Sequence, residues 1–107
     1  MQKKIVLSPN FFDELEELLD ALLAEGYFSA LPWALQYTDA IERFIETSLG
    51  VAPTKTVPHV LKEYGTNYIT YIHSQRTTWY IIFDETEDLY YVRHITNNHV
   101  SGHYFNG

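Results

Sequence analysis

Two periodicities divide the chain. Phe11, Phe12, Leu15, Leu18, Leu19, Leu22 and Leu23 recur at intervals of three and four, the spacing of one helix face. Asp13, Glu14, Glu16, Glu17 and Asp20 fill the other face, several of them near the N-terminal end, where the helix dipole favours carboxylates. Ser8 offers a capping hydroxyl, Pro9 a first helical residue that wastes no donor, and Gly26 a stop. After a loop over residues 27–31, Pro32 opens a second helix. Its stripe is Trp33, Tyr37, Ala40, Ile41, Phe44, Ile45 and Leu49, and Gly50 ends it. From Asn67 the period becomes two and the residues become aromatic and β-branched. This predicts strands over residues 67–73, 77–84 and 89–95. The connections Ser74-Gln75-Arg76 and Glu85-Thr86-Glu87-Asp88 are short enough to demand antiparallel hairpins.

The remainder is less regular. Residues 3–7 read as a short edge strand. Residues 51–66 hold Pro53, Pro58 and Gly65 and read as an irregular connection. Residues 96–107 read as a polar, His-rich tail. The expected architecture is α+β in one domain over residues 1–107: a short N-terminal strand, two helices (8–50) and a three-stranded antiparallel meander (67–95).

Placing His73 opposite Thr77 and Asp84 opposite Leu89 sorts the meander into two faces. Ile69, Tyr71, Trp79, Ile81, Phe83, Tyr90 and Val92 form the more apolar one, expected to pack on the helices. Tyr68, Thr70, Ile72, Thr78, Tyr80, Ile82, Tyr91, Arg93 and Ile95 form the other, with Tyr80 across from Arg93. That face is too polar for a core and too aromatic for an idle surface.

Charge refines this picture. The chain has 107 residues, of which 46% are apolar, and a net charge of −7. Taken alone, the sum argues against nucleic acid, whose phosphates call for Lys and Arg. Residues 1–47 carry three basic and nine acidic side chains, and residues 48–107 carry four and five. Four of those five acids, Asp84, Glu85, Glu87 and Asp88, sit at one hairpin turn, so the rest of the sheet half is mildly basic. There is no cysteine, hence no disulfide and no thiolate chemistry. The apolar run at residues 5–7 is too short for a signal peptide, and no stretch approaches the ~20 residues that span a bilayer. The expected location is the cytoplasm, away from membrane.

The order short strand, two helices, meander resembles the RelE/ParE superfamily of toxins from bacterial toxin–antitoxin modules. Ile5-Val6-Leu7-Ser8-Pro9 and the acidic, Leu-rich segment after it look like the family's opening strand and first helix. Ala40-Ile41-Glu42-Arg43-Phe44-Ile45 looks like its second helix. Trp79-Tyr80-Ile81-Ile82-Phe83-Asp84 and Leu89-Tyr90-Tyr91-Val92-Arg93-His94-Ile95 look like its central strands. The resemblance implies a toxin held silent by a cognate antitoxin in a hetero-oligomer, acting either on gyrase or as a metal-independent, ribosome-dependent mRNA endonuclease. The RNase branch uses basic, histidine and tyrosine side chains on the open sheet face and at the C-terminus. This chain departs from that branch. Thr77-Thr78 stands where its members place an arginine, Arg76 is displaced into the turn, and Lys62 stands without a lysine cluster. The expectation is therefore a ParE-like or degenerate RelE-like toxin. The alternatives are an active RNase and a non-enzymatic interaction module.

Under the RNase alternative, Arg93, His103 and Tyr104 are the candidate catalytic residues. Tyr68, Thr78, Tyr80, Tyr91 and Arg76 form the candidate binding face, suited to bases or, better, to an antitoxin segment. Against these stand plainer roles: Arg93 as a surface arginine stacked on Tyr80, and the hairpin acids as a solvated tip. His94, His99 and His103 have no acidic residue between Leu89 and Gly107 to complete a metal site. Neither metal nor cofactor is expected.

Overall fold

A computed structural model describes residues 3–24 and 31–105, with residues 31–35 described by backbone alone. Gly26 and most of the loop expected at 27–31 lie outside the described residues, as does the side chain of Trp33. The order is β1 (Lys4–Leu7), α1 (Pro9–Ala24), α2 (Leu31–Ser48), β2 (Lys55–Thr56), a 3₁₀ helix (His59–Tyr64), β3 (Asn67–Ile72), β4 (Thr78–Glu85), β5 (Leu89–Asn97) and α3 (Asn98–Phe105). The protein is α+β. Among the described residues, no helix is long and apolar enough to cross a membrane.

The sheet differs from the expected three-stranded antiparallel meander. It is mixed and five-stranded, in the order β1-β5-β4-β3-β2. β3, β4 and β5 pair antiparallel in sequence order, and two further strands extend them: β1 lies parallel to β5, and β2 adds a two-residue edge to β3. β1 falls within the edge strand expected at residues 3–7, but its pairing with β5 has no local sequence signal, and neither does β2. A parallel partner 80 or so residues away leaves no turn to recognise.

The helices form where the stripes predict. Ser8 Oγ accepts a hydrogen bond from Phe11 N–H at 3.0 Å, which caps α1. Gly50 follows α2 with a φ of 86°, the left-handed conformation that favours glycine. Phe11, Leu15, Leu19, Leu22, Tyr37, Ile41 and Ile45 pack against Ile69, Trp79, Ile81, Phe83, Val92 and Ile95. Phe44 stacks on Tyr71, with centroids 4.6 Å apart. Trp79 is fully buried, and its indole N–H donates to Tyr37 Oη at 2.9 Å, so the polar atom it carries inside is satisfied.

The second face is also a core. Tyr68, Tyr80 and Ile82 are buried together with Val57, and Leu61 and Phe105 pack against them. Phe105 stacks flat on Tyr80 at 3.9 Å and meets Tyr68 edge-on at 4.8 Å. The 3₁₀ helix and α3 therefore cover much of the face that its tyrosines and threonines marked as open. Residues 98–105, expected as part of a loose tail, are α3. Asn97 caps it: its Oδ1 accepts from His99 N–H and Val100 N–H at 3.0 and 3.3 Å. Asn98 ties α3 to β4 by accepting from Thr78 N–H and donating to the Arg76 carbonyl.

Register explains one further difference. The β3–β4 pairing continues to His73 opposite Thr77 as expected, with His73 N–H donating to the Thr77 carbonyl. In β4–β5, Asp84 lies opposite Tyr91, not Leu89, and Tyr80 lies opposite Thr96, not Arg93. Phe83 pairs with Val92 and Ile82 with His94, which leaves Arg93 as an extra residue in a β-bulge. The bulge shifts the alternation by one. Ile95, assigned by strict alternation to the polar face, sits in the main core at 1% exposure.

Candidate functional site

The site grows from an edge that β1 leaves unfinished. β1 ends with Leu7 opposite Val92, but β5 continues to Asn97. Its outward backbone groups past Val92 need partners. α1 supplies them. Ser8 N–H donates to the Val92 carbonyl at 2.9 Å, and Ser8 Oγ donates to the Arg93 carbonyl at 3.1 Å. Glu14 Oε1 accepts from Ile95 N–H at 3.3 Å. The short strand, the capped helix and the bulge thus meet at one seam.

Two side chains occupy it. Arg93 donates to Asp84 Oδ2 at 2.9 Å and to the Glu63 carbonyl at 3.4 Å. Partial burial alone would raise the Asp84 pKa. Hydrogen bonding from Thr66, whose N–H lies 2.9 Å away, together with the Arg93 guanidinium, outweighs that and holds the carboxyl below its ordinary value. His94 is held between a carboxylate and a ring: Glu14 Oε2 faces its Nδ1, which has no other partner among the described residues, and Tyr64 stacks on it at 4.3 Å. With Nδ1 against Glu14, Nε2 is the nitrogen left for an outside group. An imidazole oriented by a carboxylate in this way has the components of a general acid–base.

Two neighbouring crevices open on these residues. The smaller, about 290 Å³, is lined by Ser8, Asn10, Glu63, Tyr64, Tyr91, Arg93 and His94. The larger, about 540 Å³, runs between α1, the 3₁₀ helix and α3. His103 and Tyr104 line it, with their rings 3.9 Å apart. Glu63, Tyr64 and His94 belong to both crevices.

The candidate residues read from the sequence divide accordingly. Arg93 and Tyr91 border the smaller crevice, and His103 and Tyr104 the larger. Tyr68 and Tyr80 lie beneath Phe105, 7% and 6% exposed. Burial pushes the Tyr80 hydroxyl pKa up, with Tyr68 adding to the effect. Thr78 and Arg76 lie where α3 is anchored and line neither crevice. Arg93 pairs with Asp84 and not, as the plainer reading had it, with Tyr80. His99 meets Thr77 Oγ1 at 3.0 Å, whereas His94 faces Glu14. Among the described residues, no three His, Cys, Asp or Glu side chains come together as metal ligands.

Glu14, Tyr64 and Ser8's second role were not legible as site features. Glu14 did carry a signal. It stands three residues after Phe11 and four before Leu18, on the flank of the apolar stripe, where a carboxylate needs a buried partner. Comparison of the chain with protein-family models, with curated proteins and with solved structures finds no match in any of the three.

Proposed function

We propose that the chain is the toxin component of a bacterial toxin–antitoxin module, ParE-like or a degenerate RelE-like member, neutralised by an antitoxin bound over its surface. The observation that carries the reading is the element order: a short strand, two helices, and three meander strands whose last one pairs with the first strand of the chain. Two features favour a non-RNase mode of action. The one arginine on β5 is engaged by Asp84 and the Glu63 carbonyl, and two of the three tyrosines suited to stacking bases, Tyr68 and Tyr80, are covered.

The test is controlled expression in a bacterial host. Growth arrest is expected on induction, with rescue by co-expression of the neighbouring gene. Normal growth with the folded chain verified in the lysate would overturn the reading. A supercoiling assay with purified gyrase, run beside primer extension on mRNA in a cell-free translation reaction, then separates the modes. The ParE-like reading expects inhibited supercoiling and intact message.

One observation favours the RNase alternative. The Glu14–His94 pair lies beside Arg93, with His103 and Tyr104 on the adjoining wall. In that reading His94 moves the proton of the RNA 2′-hydroxyl, and Arg93 and Tyr104 face the phosphate. Message cleavage abolished by His94→Ala, Arg93→Ala and Tyr104→Phe would establish it. Cleavage unchanged in all three would reject these roles.

A further inference from the structure

The larger groove combines two properties that neither proposed mode of action uses. About half of its lining is apolar, and much of that half is open to solvent. Val60 of the 3₁₀ helix is 60% exposed, Val100 of α3 58% and Tyr104 41%, and Leu18 and Leu61 also line the groove. Large apolar side chains gathered along one groove mark an interaction surface rather than a scattered background. Its charge has one sign. Glu14, Glu17 and Glu63 line it, and no lysine or arginine does. Glu14 is engaged by His94 and Ile95. Among the described residues Glu17 and Glu63 have no cationic partner. Asp13, Glu16 and Asp20 continue the acidic surface along exposed α1.

We propose that this groove receives a basic, amphipathic segment of a partner protein. Its apolar side chains seat on Val60, Val100 and Tyr104, and its lysines or arginines meet Glu17 and Glu63. Two other occupants fit worse. RNA would bring phosphates to three carboxylates with no cation to receive them. A second copy of the chain would bring its own acidic helix against this one. The inference deepens the toxin reading by stating the chemistry of the antitoxin segment, and rests on that reading only for the partner's identity. A segment seated here also covers His94, His103 and Tyr104.

The probe is a fluorescein-labelled Lys/Leu peptide designed as an amphipathic helix, titrated with the full chain and read by fluorescence anisotropy. A scrambled peptide of the same composition and a Glu/Leu counterpart are the comparisons. The amphipathic Lys/Leu peptide is expected to bind at least about tenfold tighter than its scramble. Val100→Asp is expected to weaken it by about tenfold, and Glu17→Lys by less. Circular dichroism checks folding, and Val60→Asp replaces Val100→Asp if the latter disturbs α3. Equal binding of the scramble, or an unchanged affinity in the folded Val100→Asp or Val60→Asp variant, overturns the proposal, because attraction is then charge alone. Tighter binding of the Glu/Leu peptide overturns it by sign. Displacement of the peptide by an oligoribonucleotide, or a dimer that Val100→Asp dissolves, gives the groove to another occupant. The growth assay uses no peptide, so the two failures are separable. Growth arrest without peptide binding refutes only this inference, and binding without arrest refutes only the toxin reading.

Discussion

On one side of the sheet, two long amphipathic helices cover Trp79, Ile81 and Phe83. On the other, a six-residue 3₁₀ helix and an eight-residue α-helix cover Tyr68, Tyr80 and Ile82. The first cover repeats an apolar residue every turn, so each turn adds buried area. The second holds on by a few contacts: Leu61 and Phe105, the Asn97 cap, and the Asn98 link to β4. The difference separates two jobs. The helix face supplies cohesion, whereas both crevices open at the seam where α1 meets the smaller cover. The candidate site residues gather where one wall is the cover that commits less apolar area to the fold.

The comparison breaks most sharply at Phe83, which is fully buried in the main core. Phe83→Ala is expected to cost about 3–5 kcal/mol, a large part of the 5–15 kcal/mol that holds a domain together. Thermal denaturation should show the transition fall by tens of degrees or disappear. A small shift would mean that the main core is looser than its burial implies.

Gly65 ends the 3₁₀ helix of the smaller cover. Its φ is 154°, and a Cβ there would stand 2.6 Å from Ile82 Cγ2, a methyl with no room to retreat. Gly65→Ala combines an unfavourable backbone with a clash and is expected to cost about 1–3 kcal/mol. The check is the urea midpoint at constant slope. A neutral result would show that the 3₁₀ helix floats on the sheet.

Phe105 tests the smaller cover itself. Removing its ring takes away a stacked contact on Tyr80 and an edge contact on Tyr68. Phe105→Ala is expected to cost about 1–2 kcal/mol. The loss should be local: amide exchange accelerates in α3 while β4 stays protected. Uniform acceleration across both regions would show that the two cores unfold as one unit, and the contrast drawn between them would fail.

The same contrast decided what the sequence revealed. The main core was legible because each of its signals is local. Ser8 and Pro9 start α1, the Leu stripe has helical spacing, and Trp79, Ile81 and Phe83 alternate. The smaller cover was hidden because its elements are poor advertisements for themselves. Asn98, His99, Ser101 and Gly102 are weak helix formers, and the Asn97 cap is recognisable only once α3 is seen. Strict alternation also misplaced Ile95, since a bulge at Arg93 has no fixed residue signature. Of the candidate site, Arg93, His103 and Tyr104 were found by residue type. Their neighbour Glu14 is 80 residues from His94 in the chain, a pairing that only the parallel β1–β5 contact and the bulge bring about.

Asp84 offers the smallest effect and the finest separation of the two sides. Its carboxyl is held below its ordinary value, so the folded chain holds this proton less readily than the unfolded chain does. The stability it contributes is therefore fully present above a pH of about 4, the ordinary carboxylate value, and is lost as pH falls through the folded value. Asp84→Asn keeps a carbonyl for Thr66 N–H but gives up the Arg93 pair. Both partners are about a third exposed, so solvent screens the pair and the expected loss at pH 7 is about 0.5–1 kcal/mol. The gap between wild type and variant should close as pH falls through the folded value. His73, on the helix side, gives a second and separate window. Its ring stacks on Tyr37 at 3.9 Å, and partial burial lowers its pKa. The neutral ring is the form the fold prefers, so stability there falls as pH drops below about 6.5, in wild type and Asp84→Asn alike. A wild-type minus variant difference that stays constant through the His73 window and closes only in the lower one assigns it to the Asp84–Arg93 pair at the crevice. A difference that does not narrow as the carboxyl is protonated would place the effect in the turn geometry instead, and the pair would then hold Arg93 in position without contributing to stability.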